Sequence, residues 1–181
     1  MPTPTPHRMT AKEYFQFRRD QIEIESAENL EYRLASIDRC TSDQVEALIA
    51  QDAKARQVEP TESVDGMRRI LREQQQKDTD RQKQSDLKMV ASDEKERAQF
   101  MSQIEPGSWV TIHWLMPFRE DGRRKVRAAT ISGQVESVQL DRAQVSFRCN
   151  SRPDDDEIKV HHIEKDSLVE APLDCVTSVS L

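Results

Sequence analysis

The sequence predicts an α+β chain: an N-terminal helical arm, made of an αα-hairpin and a long helix, followed by a C-terminal small β-barrel. Three observations carry this. The hydrophobic period changes from 3–4 residues to 2 at Pro106-Gly107. Only one glycine, Gly66, precedes that point. And 35% of the residues are hydrophobic while 33% are charged, against roughly 45–50% and about 25% in an average domain. So little apolar material does not fill one compact core of 181 residues. Part of the chain is therefore expected to be solvated helix, disordered, or buried against a partner.

The elements follow in order. Residues 1–9 open with a Pro-Thr repeat and read as a disordered leader, with no apolar stretch of the secretory kind. Residues 10–104 form the helical arm. Thr10 to Glu13 is a capping box. Behind it Phe15, Ile22, Leu30, Leu34 and Ile37 recur at helical spacing, giving one apolar face that ends near Arg39-Cys40. Thr41 to Gln44 is a second capping box, and Val45, Leu48 and Ile49 line a short helix that stops before Pro60. Thr61 then caps a long helix from about 61 to 104. Its stretch 72–86 contains no hydrophobic residue, so it reads either as solvated helix or as a linker.

Residues 105–181 read as five short strands. Trp109–Leu115 is the first, and Met116–Gly122 a loop ending in the turn signal Asp121-Gly122. Lys125–Val138 is a long strand whose alternation shifts phase, which places a bulge or bend at Gly133. Val145 and Phe147 mark the next strand, and residues 158–163 another. Residues 168–170 are short and extended, Ala171–Asp174 is a tight turn, and the last strand is 175–179. A long bent second strand and a turn just before the last suit an SH3-like or Tudor-like barrel, whose closure hides the edges of so short a sheet.

Charge and cysteines narrow the function classes. Residues 1–104 carry 17 Lys+Arg against 20 Asp+Glu, and residues 105–181 carry 10 against 13, so neither region is a basic module. Cys40, Cys149 and Cys175 are far apart and form no metal or disulfide framework, which fits a reducing compartment. The cytoplasm is expected, with the mitochondrial matrix as the alternative. No stretch is long and apolar enough for a membrane span.

The densest chemistry is Arg119, Arg123, Arg124, Lys125 and Arg127, with Trp109, Trp114 and Phe118 nearby in sequence. Guanidinium groups beside aromatics suit phosphates and bases, or a peptide. The plainer account is a solvated loop whose charges pair with Glu120, Asp121 and the acidic residues Asp154–Glu157. Arg123 and Arg127 are spaced as in the first motif of the PilZ family, which this pair resembles and which binds a cyclic dinucleotide. The second motif of that family, Asp/Asn-x-Ser-x-x-Gly, has no counterpart at Asp141–Ser146, so the resemblance covers two residues. His161 and His162 point to opposite faces of a strand and do not chelate one ion. His113, between Ile112 and Trp114, reads as a strand histidine. Neither a phosphate-binding loop nor a nucleophile elbow occurs.

The expected function is thus a non-enzymatic interaction or adaptor protein, or a subunit of an assembly, binding partners through the helical arm and the C-terminal barrel, with no cofactor and no metal. A protein partner or a second copy is expected on the arm, with Tyr14, Phe15, Phe17, Ile22, Leu30, Leu34 and Ile37 as anchors. Recognition of nucleic acid or a cyclic nucleotide by the basic loop is the alternative.

Overall fold

The computed structural model describes residues 7–120, 123–150 and 166–180, without the side chains of 118–120 and 123–124. The expected strand 158–163, the acidic stretch Asp154–Glu157, His161-His162 and the turn Asp121-Gly122 lie outside the described residues. The fold is α+β, with three helices in the N-terminal part followed by a curled antiparallel sheet that forms a half-barrel. By contact it has two compact units. One joins the chain up to Arg18 with everything from Val90 onward, and the other is Arg19–Met89.

The helices begin where the capping chemistry puts them. Helix α1 spans Ala11–Arg39. The Glu13 carboxylate accepts from the Thr10 N–H at 2.8 Å, and the Glu13 N–H donates to Thr10 Oγ1 at 3.2 Å. Helix α2 spans Ser42–Arg56, with the reciprocal Thr41–Gln44 box complete. It ends in a Schellman motif. Val58 N–H reaches Ala53 O and Gln57 N–H reaches Lys54 O, while Gln57 takes the left-handed φ of 57°. Helix α3 spans Val64–Phe100. Its cap is Ser63, not the expected Thr61, because the Gly66 N–H donates to Ser63 Oγ at 3.0 Å.

The polar stretch 72–86 is helix throughout. Gln74, Gln76 and Gln82 each donate to the aspartate one turn on, Asp78, Asp80 and Asp86, at 2.9–3.1 Å. Such i,i+4 pairs supply the local support that a stretch without an apolar face lacks. Within the helical unit α1 and α3 run antiparallel, crosslinked by Glu23–Lys83, Arg33–Gln75 and Asp38–Arg72. Its apolar core is small: Val45, Ile49 and Met67, flanked by Cys40, Val64 and Leu71.

In the other unit, the turn Glu105–Ser108 hands the chain from helix to sheet. Ser108 N–H bonds Glu105 O, with Pro106 second and Gly107 third at φ 100°, the conformation glycine alone takes freely. The strands are β1 (His7–Arg8), β2 (Trp109–Glu120), β3 (Arg123–Gln139), β4 (Gln144–Cys149), β5 (Leu168–Pro172) and β6 (Val176–Ser180). They are ordered β1-β2-β3-β4-β5, and β6 returns to pair with β2. So the end of the expected leader carries a strand, with His7 paired to Leu115 and Arg8 to Trp114.

Two details differ from the sequence expectation. Met116–Glu120 is not loop: the β2–β3 ladder runs unbroken to Glu120↔Arg123, lengthening the hairpin to its turn signal. The bulge falls not at Gly133 but between Val135 and Ser137, where Val135 faces Phe147 and Ser137 faces Ser146. Gly133 has another reason: a Cβ there would collide with the Arg148 carbonyl, so β4 passes too close for any side chain.

The half-barrel is filled by Val110, Ile112, Ile131, Val135, Val145, Phe147, Val169 and Val176, each worth ~1.5–3 kcal/mol when fully buried. Phe100 at the end of α3, Met101 in the 3₁₀ turn Met101–Gln103 and Ile104 just after it pack against this core. Two arginines tie its margins. Arg8 lies 5.0 Å from the centre of the Trp114 ring and donates to Glu170 O on β5 at 2.8 Å. Arg97 of α3 donates to Val176 O and Leu173 O, holding the 3₁₀ turn Leu173–Cys175 that precedes β6.

Candidate functional site

Three places gather chemistry. The first is a cleft of about 420 Å³ in the unit that holds the half-barrel, lined by Tyr14, Arg18, Asp93, Arg97, His113 and Ser178, among others. Strand alternation turns His113 away from the core face that holds Ile112 and Trp114. The Tyr14 ring, one turn into α1, stacks on it at 3.8 Å and 6°. Thr130, its cross-strand partner, hydrogen-bonds Nδ1 at 3.2 Å. Arg18 bonds Asp93 at 2.5 Å and lies 5.9 Å from the centre of the Tyr14 ring. Burial pushes the imidazole down to about 4, helped by the Arg18 charge. Burial also raises the Tyr14 phenol. At neutral pH the histidine is therefore neutral and far from the proton affinity a general acid or base needs. The Cys175 thiol is pushed up to about 11 by burial and by Asp174, so it is a poor nucleophile.

The second place is the basic hairpin. Its register sets Phe118 opposite Lys125, Arg119 opposite Arg124 and Glu120 opposite Arg123. Lys125 is exposed and Arg127 half-buried. The tryptophans are not brought together. Trp114 lies on the core face beneath Arg8, whereas Trp109, five residues earlier, is on the opposite face and 37% exposed. An odd separation along a regular strand does this.

The third place was not singled out from the sequence. Between α2 and the start of α3 runs a groove of about 570 Å³. Ile49, Ala53 and Met67 form its buried floor. Leu48, Val58 and Ile70 stand along it, 40%, 59% and 44% exposed. At its mouth Asp52 pairs with Arg56 at 3.0 Å, while Glu59 and Glu62 form no ion pair among the described residues. The signal was present in the sequence: Leu48 beside Ile49, and Ile70 beside Leu71, make the two stripes wider than so short a hairpin uses.

The structure places the anchors expected on the arm at different depths. Phe15 and Ile37 are buried, Tyr14 is covered by His113, and Phe17, Ile22, Leu30 and Leu34 are half-buried. Among the described residues no group of three or more His, Cys, Asp or Glu is placed to hold a metal ion, and no helix is long and apolar enough to cross a membrane. Comparison with protein families, with curated proteins and with solved structures returned no match.

Proposed function

We propose that the protein is a non-enzymatic interaction module, an adaptor or a subunit of a larger assembly, and that its helical unit offers the principal contact. The carrying observation is the α2–α3 groove, where three large aliphatic side chains stay 40–59% exposed around a formed floor. Isolated exposed aliphatics are ordinary, but a cluster of them around a concave, acid-rimmed surface marks a contact site. The half-barrel fits an SH3-like or Tudor-like module: β3 is long and bulged, and a 3₁₀ turn directly precedes the last strand, which pairs with β2. It would supply a second contact. Three free thiols suit a reducing compartment such as the cytoplasm.

The test is site-specific photo-crosslinking in native extract, with the reactive residue at Val58 or, as control, at the exposed Leu140. Defined adducts at Val58, lost when Leu48 and Ile70 become Asp, support the reading. Equal labelling at both positions overturns it.

One observation favours a second reading, contact of the hairpin with nucleic acid or a cyclic nucleotide. The β2–β3 register brings Arg119, Arg123, Arg124, Lys125 and Arg127 onto the two strands of one hairpin, and a run of cations of this kind suits phosphate groups. Alanine at Arg123, Arg124, Lys125 and Arg127 should then abolish salt-sensitive binding of RNA, DNA or cyclic dinucleotides. An unchanged titration rejects it.

A further inference from the structure

We infer that the α2–α3 groove takes an amphipathic helix whose apolar face is bordered by lysine or arginine. This rests on the interaction reading above and adds the partner's chemistry.

The shape comes first. The groove is bounded by α2 on one side and the first turns of α3 on the other, with Val58 where the chain leaves the Schellman turn. Its volume is about 570 Å³. Apolar side chains one helical turn apart, at i, i+3 or i+4 and i+7, fit a trough between two helices.

The charge comes second. Arg56 is the cation at the mouth, and Asp52 already holds it. Glu59 and Glu62 are exposed, and neither forms an ion pair among the described residues. A partner bringing carboxylates to this rim meets repulsion, and one bringing ammonium or guanidinium groups meets attraction. The same argument disfavours a second copy seated groove to groove. A two-fold contact would set each acidic mouth against its own image.

The probe is a fluorescent amphipathic helix of about five turns, with leucines at i, i+3, i+4 and i+7 and flanking lysines. Its twin carries glutamate at every lysine. Each is titrated by anisotropy against the full chain at about 50 mM and about 0.5 M salt. The lysine peptide is expected to bind about tenfold more tightly at low salt, with the gap closing as salt screens it. The Glu59→Lys/Glu62→Lys variant should invert that preference. Ile70→Asp should weaken both peptides. The charge-reversed positions are exposed, so that variant tests the idea even if Ile70→Asp disturbs folding.

Equal binding of the two peptides, or a preference that Glu59→Lys/Glu62→Lys leaves unchanged, overturns the basic partner. Crosslinks at Val58 without binding of either peptide overturn the helical partner but leave the interaction reading standing. Neither crosslinks nor binding removes both. A dimer in sedimentation velocity that these groove variants dissociate assigns the groove to a second copy, and overturns the inference.

Discussion

His113 shows what one position in a strand reveals and what it hides. Its neighbours Ile112 and Trp114 mark it as the outward residue of an alternating strand, which a reader of the sequence can see. That Tyr14, from the far end of the chain, would lie flat on its ring is invisible there, because no local pattern encodes a contact across about a hundred residues. The stack has a consequence in pH. The folded imidazole titrates at about 4, below the ~6.5 of an unfolded histidine. On acidification the unfolded chain therefore takes up the proton first. The stabilisation is full above about pH 6.5 and is lost as pH falls toward 4. Between about pH 7.5 and pH 5 this one group should cost the fold about 2 kcal/mol. His113→Asn, which retains a polar partner for Thr130, should flatten the pH dependence of the urea midpoint by that amount, while lowering stability at pH 7.5. A pH slope identical to that of the parent would show that the imidazole is not held neutral.

At the scale of elements, the capping boxes at Thr10 and Thr41 were legible because each is a short-range reciprocal bond. The unbroken run of α3 through 72–86 was legible only as one of two options, and the Gln-to-Asp rungs decide it. The extension of β2 to Glu120 was missed because Met116, Pro117 and Phe118 break the alternation, while the ladder to β3 holds regardless. Arg97 was also missed: in sequence it is one more charge on a charged helix. In the fold its guanidinium is partly desolvated, and burial lowers its proton affinity, though it stays charged. Its fork joins α3 to Val176 O and Leu173 O. Arg97→Met keeps much of the packing stem and removes the donors. Losing charge-assisted bonds to part-buried carbonyls should cost about 2 kcal/mol. Arg97→Lys, with no fork, should recover less than half of that. Urea unfolding measures both, and a change under about 0.5 kcal/mol for Arg97→Met would demote the contact to a surface decoration.

At the scale of the whole molecule, the period change at Pro106-Gly107 marks where helix gives way to sheet. Contacts divide the chain elsewhere, at Arg18 and Val90. The reason is Phe100, Met101 and Ile104, which continue the spacing of a helical stripe yet pack against the half-barrel core. Periodicity reports that a face is apolar, not what covers it. The two units are held by different forces. The half-barrel has a continuous buried core, whereas the helical unit has the small cluster of Val45, Ile49 and Met67, the further buried Ile37 and Ala53, and a set of polar rungs between α1 and α3. Exposed ion pairs contribute ~0–1 kcal/mol each and weaken in salt. The helical unit should therefore open first. Hydrogen exchange followed by mass spectrometry should show α2 and residues 64–89 of α3 exchanging well before β2, β3 and β4, with the gap widening at about 0.5 M salt. A ligand in the α2–α3 groove should slow exchange in α2, since it binds only the closed form. Simultaneous exchange of both units would mean that α1 and α3 couple them into one cooperative fold, and that a small core and exposed rungs are no guide to the order of opening.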